Sequence, residues 1–277
     1  MGKTVLKRFI KNKRAVIGLV IFGVLLFLAL TADLYIDYDT QVINQNIASQ
    51  LQGPSPEHWM GTDAYGRDIF FRLIYGTRVS LAISFSTMIL ATFFGVVIGS
   101  SCGYFGGRLD IIVMRIMDVF LSIPAIILAI AIVASLGTGA VNLVIAMTLS
   151  YIPSLSRIVR SAVMSVKNND YVRAAKAMGA SNFRIITTHV LTNALGPIIV
   201  QFTLGIGDAI MGTAGLGFLG LGIQPPLPEW GNMLAAGKEY IRYMPYMVVF
   251  PGLFIMLTVL SLNLIGDALR DALDARV

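Results

Sequence analysis

Residues 170–194 read DYVRAAKAMGASNFRIITTHVLTNA. They form a basic, glycine-broken segment with helical patterning between two apolar runs. Asp170 can cap a helix by accepting bonds from the free amides of its first turn. Tyr171, Ala174, Ala175 and Met178 fall at i, i+3, i+4 and i+7, one apolar stripe with Arg173 and Lys176 off it. Gly179 suits the end of that helix, and Ser181 suits the cap of the next. Phe183, Ile186, Val190 and Ala194 make a second stripe. The expected structure is a helix–turn–helix standing in the cytoplasm. A lone helix of about eight or nine residues is unstable in water, so something must hold it. The plain alternative is an inert amphipathic connector on the inner leaflet. Against it stand Ala174, Ala175, Ala177, Gly179 and Ala180, small residues that add little lipid affinity and permit a close fit against a protein groove.

The surrounding chain is mostly oil. Its 277 residues are 56% hydrophobic and 13% charged, where a soluble domain carries about 25% charged residues. A span needs ~20 apolar residues, and six stretches qualify: Ala15–Leu34, Val79–Tyr104, Ile111–Leu136, Val141–Val163, Pro197–Ile223 and Pro245–Gly266. The first follows KRFIKNKR and exceeds the ~7–15 residue core of a signal peptide, so it reads as a retained anchor. With both termini in the cytoplasm, sixteen Lys and Arg lie inside and only Arg67, Arg72, Arg78, Lys238 and Arg242 outside; the positive-inside rule prefers that topology. The same rule explains the net charge of +6 without nucleic acid. Residues 1–78 read as an anchor with an extracytoplasmic segment, and 79–277 as a five-helix core with a cytoplasmic loop at 165–196.

The outer segment Tyr35–Thr77 carries Asp37, Asp39, Glu57, Asp63 and Asp68. Its end, RDIFFRLIYG, reads as a short helix on the membrane surface. In the second outer loop, QPPLPEWG, Trp230 suits a membrane–water interface. Small residues let spans approach closely: Gly95, Gly99 and Gly103 in the second span, and Gly205, Ala209, Thr213 and Gly217 in the fifth. Pro124 and Pro251-Gly252 are expected to kink their spans. Arg115 and Asp118, about one turn apart, suggest an ion pair. Asp208 lies within the fifth span, where an acid costs ~2.5–3.5 kcal/mol. It should face a cavity or a partner, either as a hydrogen-bonded packing residue or as a contact on the translocation pathway.

Several motifs fail on context. Gly99-Ser100-Ser101-Cys102-Gly103 matches the serine-hydrolase elbow, which needs a strand-to-helix turn and a nearby base; here it sits in an apolar helix. Gly215-Leu216-Gly217-Phe218-Leu219-Gly220 matches the dinucleotide fingerprint without the preceding strand. Gly2-Lys3-Thr4 lacks the earlier glycine of a phosphate loop. No catalytic residue is expected, and any ATP must be bound by another polypeptide. One cysteine, Cys102, leaves no intrachain disulfide, and two scattered histidines, His58 and His189, offer no metal site.

RAAKAMGAS followed by HVLTNA resembles the signature of binding-protein-dependent ABC importer permeases. HWMGTDAYGRDIFFRLIYGTRVSL, GLGFLGLGIQPPLPEWG and GDALRDALD extend the resemblance over most of the chain, and they look like the C-type permease subunit of dipeptide, oligopeptide and nickel importers. The resemblance implies an all-α membrane protein of about six spans, the type I (MetI-like) transmembrane domain with an extra N-terminal helix. It implies a coupling helix made by Asp170, Arg173, Ala174, Ala175, Met178, Gly179 and Ala180. Arg173 stands where the general signature has Glu, and Thr192 replaces a frequent proline before Asn193. It further implies a homologous permease, two ATPase subunits that carry ATP and magnesium, an extracytoplasmic binding protein, and a bacterial or archaeal cell membrane. Peptides are the first expectation for cargo and nickel or a metal chelate the second. A secondary transporter or channel would need its own driving site, for which Asp208 is the one hint. A membrane-anchored assembly or sensor protein, with the loop as a binding platform, is a third reading.

Overall fold

The computed structural model describes residues 2–273. Arg276 and the last residue of the C-terminal motif lie outside that range. Among the described residues there is no strand. The elements are α1 (Gly2–Lys11), α2 (Lys13–Thr31), α3 (Ile69–Phe105), α4 (Gly107–Leu121), α5 (Ala125–Leu136), α6 (Ala140–Val166), α7 (Asp170–Ala177), α8 (Asn182–Arg184), α9 (Leu191–Phe218), α10 (Trp230–Gly237) and α11 (Tyr246–Leu273). Five stretches are long and apolar enough to cross a bilayer: Lys13–Leu34, Ile69–Phe105, Ala140–Val166, Asn182–Phe218 and Tyr246–Leu273. A sixth exists only if α4 and α5 are joined across an 86° bend.

That bend sits at Pro124, where the sequence predicts a kink in Ile111–Leu136, and it divides the stretch into two helices. Pro124 has no N–H to give and bars the helical region to the residue before it, and it sits extended at ψ 131°. α5 alone is 12 residues long, short of the ~20 that cross a bilayer, so a crossing here needs α4 and α5 together. Arg115 does not pair with Asp118. Asp118 accepts instead from Arg157 of α6 at 2.5 Å, and Asp110 takes Arg160 of α6 in a fork at 2.5 and 2.6 Å. The acids of α4 thus fasten it across to α6. Around Pro251, by contrast, α11 runs unbroken.

The second span begins at Ile69, not Val79. RDIFFRLIYG is no surface helix: Ile69, Leu73 and Ile74 are buried inside the protein. Asp68 starts the helix, accepting from the amides of Phe70 (2.8 Å) and Phe71 (3.4 Å). The resulting 37 residues extend about 55 Å at ~1.5 Å each, so α3 overshoots a ~30 Å hydrocarbon layer. The boundary at 78/79 falls within this one helix.

Apolar surface gains little by leaving lipid for protein, so close backbone contact has to hold these helices together. Gly95, Gly99 and Gly103 present a bare backbone to α6. A Cβ at Gly95 would lie 2.8 Å from Leu155 Cβ, and one at Gly103 2.9 Å from the Arg160 carbonyl oxygen. One at Gly99 would overlap the Ser156 carbonyl oxygen. Gly205 accommodates Met88 of α3, and Gly217 leaves room for the Glu229 carboxylate, which a Cβ would approach to 2.6 Å. Likewise, α2 closes on α11 through Gly18, whose added Cβ would meet the Ser261 oxygen at 2.7 Å.

The loop after α9 holds a helix that the sequence reading missed, α10. Its signal was Glu229, whose side chain accepts from the amides of Gly231 and Asn232, both at 2.9 Å. That makes it an N-cap, although acidic residues at this position more often are Asp. Trp230 does not face the membrane surface. It is completely buried, stacked edge-on at 6.1 Å against Phe254, with Nε1 donating to the Leu73 carbonyl at 3.3 Å. Trp230→Ala is expected to cost ~3–5 kcal/mol. A marked drop in the thermal midpoint of the purified protein in nanodiscs, with a smaller drop for Trp230→Phe, would check this.

Candidate functional site

At the end of the bundle where α3 finishes, the chain from Val166 to Ala194 builds a compact projection. Asn169 is the N-cap of α7, and its side chain makes no cap bond. Asp170 therefore occupies the first turn instead of the cap, where its charge suits the helix dipole. The far end closes as expected for a glycine in the left-handed region: Gly179 has φ +81°, its N–H donates to Lys176 O at 3.0 Å, and that of Ala180 donates to Ala175 O at 3.1 Å. Ser181 Oγ then accepts from the Arg184 amide at 3.4 Å, opening α8.

The second helix of this projection is not separate. Asn182 begins a helix that passes through a π turn at Ile185–Val190 and continues as α9 to Phe218. Helical repeat alone does not distinguish a free helix from the foot of a span, so the sequence suggests two separate elements. Of the predicted stripe on α7 only Ala175 turns inward, joined there by Val172 from outside the stripe. Val172 and Ala175 are buried against Val159, Val163, Val166, Ile185, Val190 and Ala194. Tyr171, Ala174 and Met178 face outward, Met178 with 81% of its surface exposed, and Phe183 on α8 is 78% exposed. Arg173 and Lys176 flank this face. Two further bonds brace the projection on α3: Lys167 Nζ to Gly103 O (2.7 Å) and Tyr104 Oη to Asn182 Oδ1 (3.0 Å). A short helix is thus clamped on one side and apolar on the other. It can transmit force to α3, α6 and α9 at once.

Asp208 lies mid-way along α9 with its neighbours Gly207, Ala209 and Ile210 buried and its own side chain exposed. No hydrogen bond or ion pair to it forms among the described residues. An acid so placed needs water or a partner in front of it. Among the described residues no group of three or more His, Cys, Asp or Glu could hold a metal ion.

At the opposite end of the bundle, residues 36–68 fold back over the start of α3. Asp63 accepts from Arg67 Nε at 2.7 Å, and Arg72 donates to Val42 O at 2.8 Å. Tyr246 Oη of α11 reaches Gln52 O at 2.8 Å. Burial pushes the Glu229 carboxyl above its ordinary range, against the lowering effect of its two amide donors and Ser80. The acids read as loop charges are thus partly internal.

A family described as the binding-protein-dependent transport system inner membrane component matches residues 95–277. The chain belongs to that family. Residues 1–54 match the N-terminal transmembrane domain of oligopeptide transport permease C. The permease is 48% identical over 271 residues to the dipeptide transport system permease protein DppC of Alkalihalophilus pseudofirmus, covering 98% of this chain and 88% of that one. It is 40% identical over 258 residues to the nickel transport system permease protein NikC of Escherichia coli K12, covering 93% and 92%. Its fold is like that of the inward-facing MetNI methionine ABC transporter, with a TM-score of 0.61 at 21% identity over 74% of this chain and 97% of that one. The protein is therefore a multi-pass, all-α membrane permease of the C-subunit group of ABC importers. It is not an enzyme, and ATP hydrolysis belongs to partner ATPase subunits.

Proposed function

We propose that this permease carries di- or oligopeptides, driven by two ATPase subunits loaded with ATP and magnesium. It pairs with a homologous permease, and the pathway lies between the two. The observation that carries this reading is the exposed face of Tyr171, Ala174 and Met178 on a helix otherwise clamped to the bundle, with Phe183 exposed at the start of the next helix. That face enters an ATPase groove, with Asp170, Arg173, Ala175, Gly179 and Ala180 shaping or supporting the contact. The Lys and Arg bias puts this end and both termini in the cytoplasm. An extracytoplasmic binding protein then delivers cargo at the end built from residues 36–68 and α10. Closure of the ATPases on ATP moves α7, and the clamp carries that motion into the spans. One state is favoured because the motor contacts differ between states.

Peptide cargo is supported by the 48% identity to a dipeptide permease. Proteoliposomes holding the two permeases and two ATPases, supplied with binding protein, should import labelled dialanine only with ATP. Import of a nickel chelate in place of dialanine would overturn the cargo assignment. Asp208 on the pathway supplies a further check against a proton-driven carrier. In Asp208→Asn, any uptake that remains should still require ATP and should ignore a protonophore. Collapse of wild-type uptake by the protonophore at constant ATP would contradict the proposal.

A further inference from the structure

A cavity of about 230 Å³ opens where residues 63–72 meet α10 and the start of α11. Asp63, Tyr65, Arg67, Arg72, Asn232 and Ala236 are among its lining residues. Its three charged side chains are buried: Asp63 is 7% exposed, Arg67 5% and Arg72 4%. Their charges do not balance. One Asp63 carboxylate accepts Arg67 Nε at 2.7 Å and the amides of Tyr65 and Arg67 at 2.8 and 3.0 Å. Arg72 Nε stands 3.7 Å from the same carboxylate, beyond hydrogen-bond reach. Arg72 Nη1 is used by Val42 O at 2.8 Å and Pro226 O at 3.5 Å.

The neighbouring acids are committed elsewhere. Asp68 caps α3 and takes His58 at 2.8 Å, and Glu229 caps α10 and accepts from Ser80 at 3.4 Å. From α11, the lining residue is the apolar Met247. Both Nη atoms of Arg67, which lies over the Tyr65 ring at 4.7 Å, and Nη2 of Arg72 find no acceptor among the described residues. A guanidinium does not lose its proton in a protein, and a buried charge is ordinarily paired. These spare donors are not sealed in the protein, so two forks beside one shared carboxylate can offer hydrogen bonds to a second anion. Guanidinium geometry matches a carboxylate in two parallel bonds. The cavity is several times the ~30 Å³ share of one water, enough for a carboxylate and a few attached atoms.

We propose that this cavity is a binding subsite for a small free carboxylate, held by Arg67 and Arg72 and kept in register by Asp63. The ligand is a short organic acid, free or as the carboxyl end of a peptide. The subsite stands on this geometry and not on the identity of the cargo.

The test uses the assembled transporter in nanodiscs, without binding protein or ATP, so the motor contact is not part of the readout. Calorimetric titration with N-acetylglycine should show saturable binding, and the neutral N-acetylglycinamide should show none over the same range. Arg67→Gln should weaken binding at least tenfold. Because that change also loosens Asp63, Ala236→Phe is the second variant. Ala236 lines the cavity, so a ring there competes for its space without removing any of the three charged groups, and binding should again fall at least tenfold. Equal binding of acid and amide, no binding of either, or an unaltered Ala236→Phe would overturn the proposal. Dialanine binding tenfold tighter than acetate would assign the site to peptide ends, and equal affinities would assign it to small acids; either ranking upholds the subsite.

Discussion

Gly179→Val should leave the transporter assembled and its basal ATP hydrolysis measurable, while ATP-driven uptake falls about tenfold. The glycine has φ +81°, and a Cβ added there meets nothing within 4 Å. Space is therefore not the issue, and conformation is. A left-handed residue with a Cβ costs ~1–2 kcal/mol, and a β-branched one is the worst fitted. That strain falls on the turn joining α7 to α8, where two backbone bonds close the helix end. Since ~1.4 kcal/mol is tenfold in an equilibrium, the seated geometry loses about tenfold relative to its alternatives. Gly179→Asn is the control, because Asn tolerates this region better, and it should retain most uptake. Paired measurement of hydrolysis and uptake in proteoliposomes checks it. Normal uptake by the Val variant would remove the turn from the coupling path.

Gly99→Leu should have a larger effect on the protein itself. Its Cβ would run into the Ser156 carbonyl oxygen and approach Val159 Cβ to 2.8 Å. These are backbone and branched-carbon neighbours that cannot swing aside. Overpacking costs ~1–3 kcal/mol where the surroundings can relax, and here the whole α3–α6 seam would have to part. Loss of that seam also frees Arg160, Lys167 and the foot of the projection. The expected result is a large drop in folded yield and in thermal midpoint. Gly23→Ala provides the contrast, since nothing lies within 4 Å of its added Cβ. Helix propensity there favours alanine by up to ~1 kcal/mol, so its midpoint should hold or rise.

Much of this architecture is legible in the sequence because lipid demands long apolar helices and tight helix contacts demand small residues. Composition, span count and the four-residue glycine spacing carry that information directly. Periodicity cannot tell whether an apolar face meets lipid, solvent or protein, so RDIFFRLIYG reads as a surface helix although it is the buried start of α3. Pro124 shows the same limit from another side, since a proline marks a break without giving its angle. Trp230 and the α10 cap at Glu229 depend on contacts with Leu73, Ser80 and Phe254, more than a hundred residues away from the first two. The ion pairs were missed for that reason too: Asp118 had a cation one turn away, yet its partner is on α6. On α7, the stripe is visible in the sequence, but not that Ala175 leaves it to join Val172 on the clamped side while the rest faces outward.

The outward half gives the most direct test. Cys102, the chain's one cysteine, is buried, so Met178→Cys introduces a single reactive thiol on an 81% exposed position. Its reaction rate with a water-soluble maleimide should be high in the permease alone and fall at least tenfold once the ATPase subunits are bound. An unchanged rate in the assembled transporter would mean that no motor covers this helix, and would contradict the account.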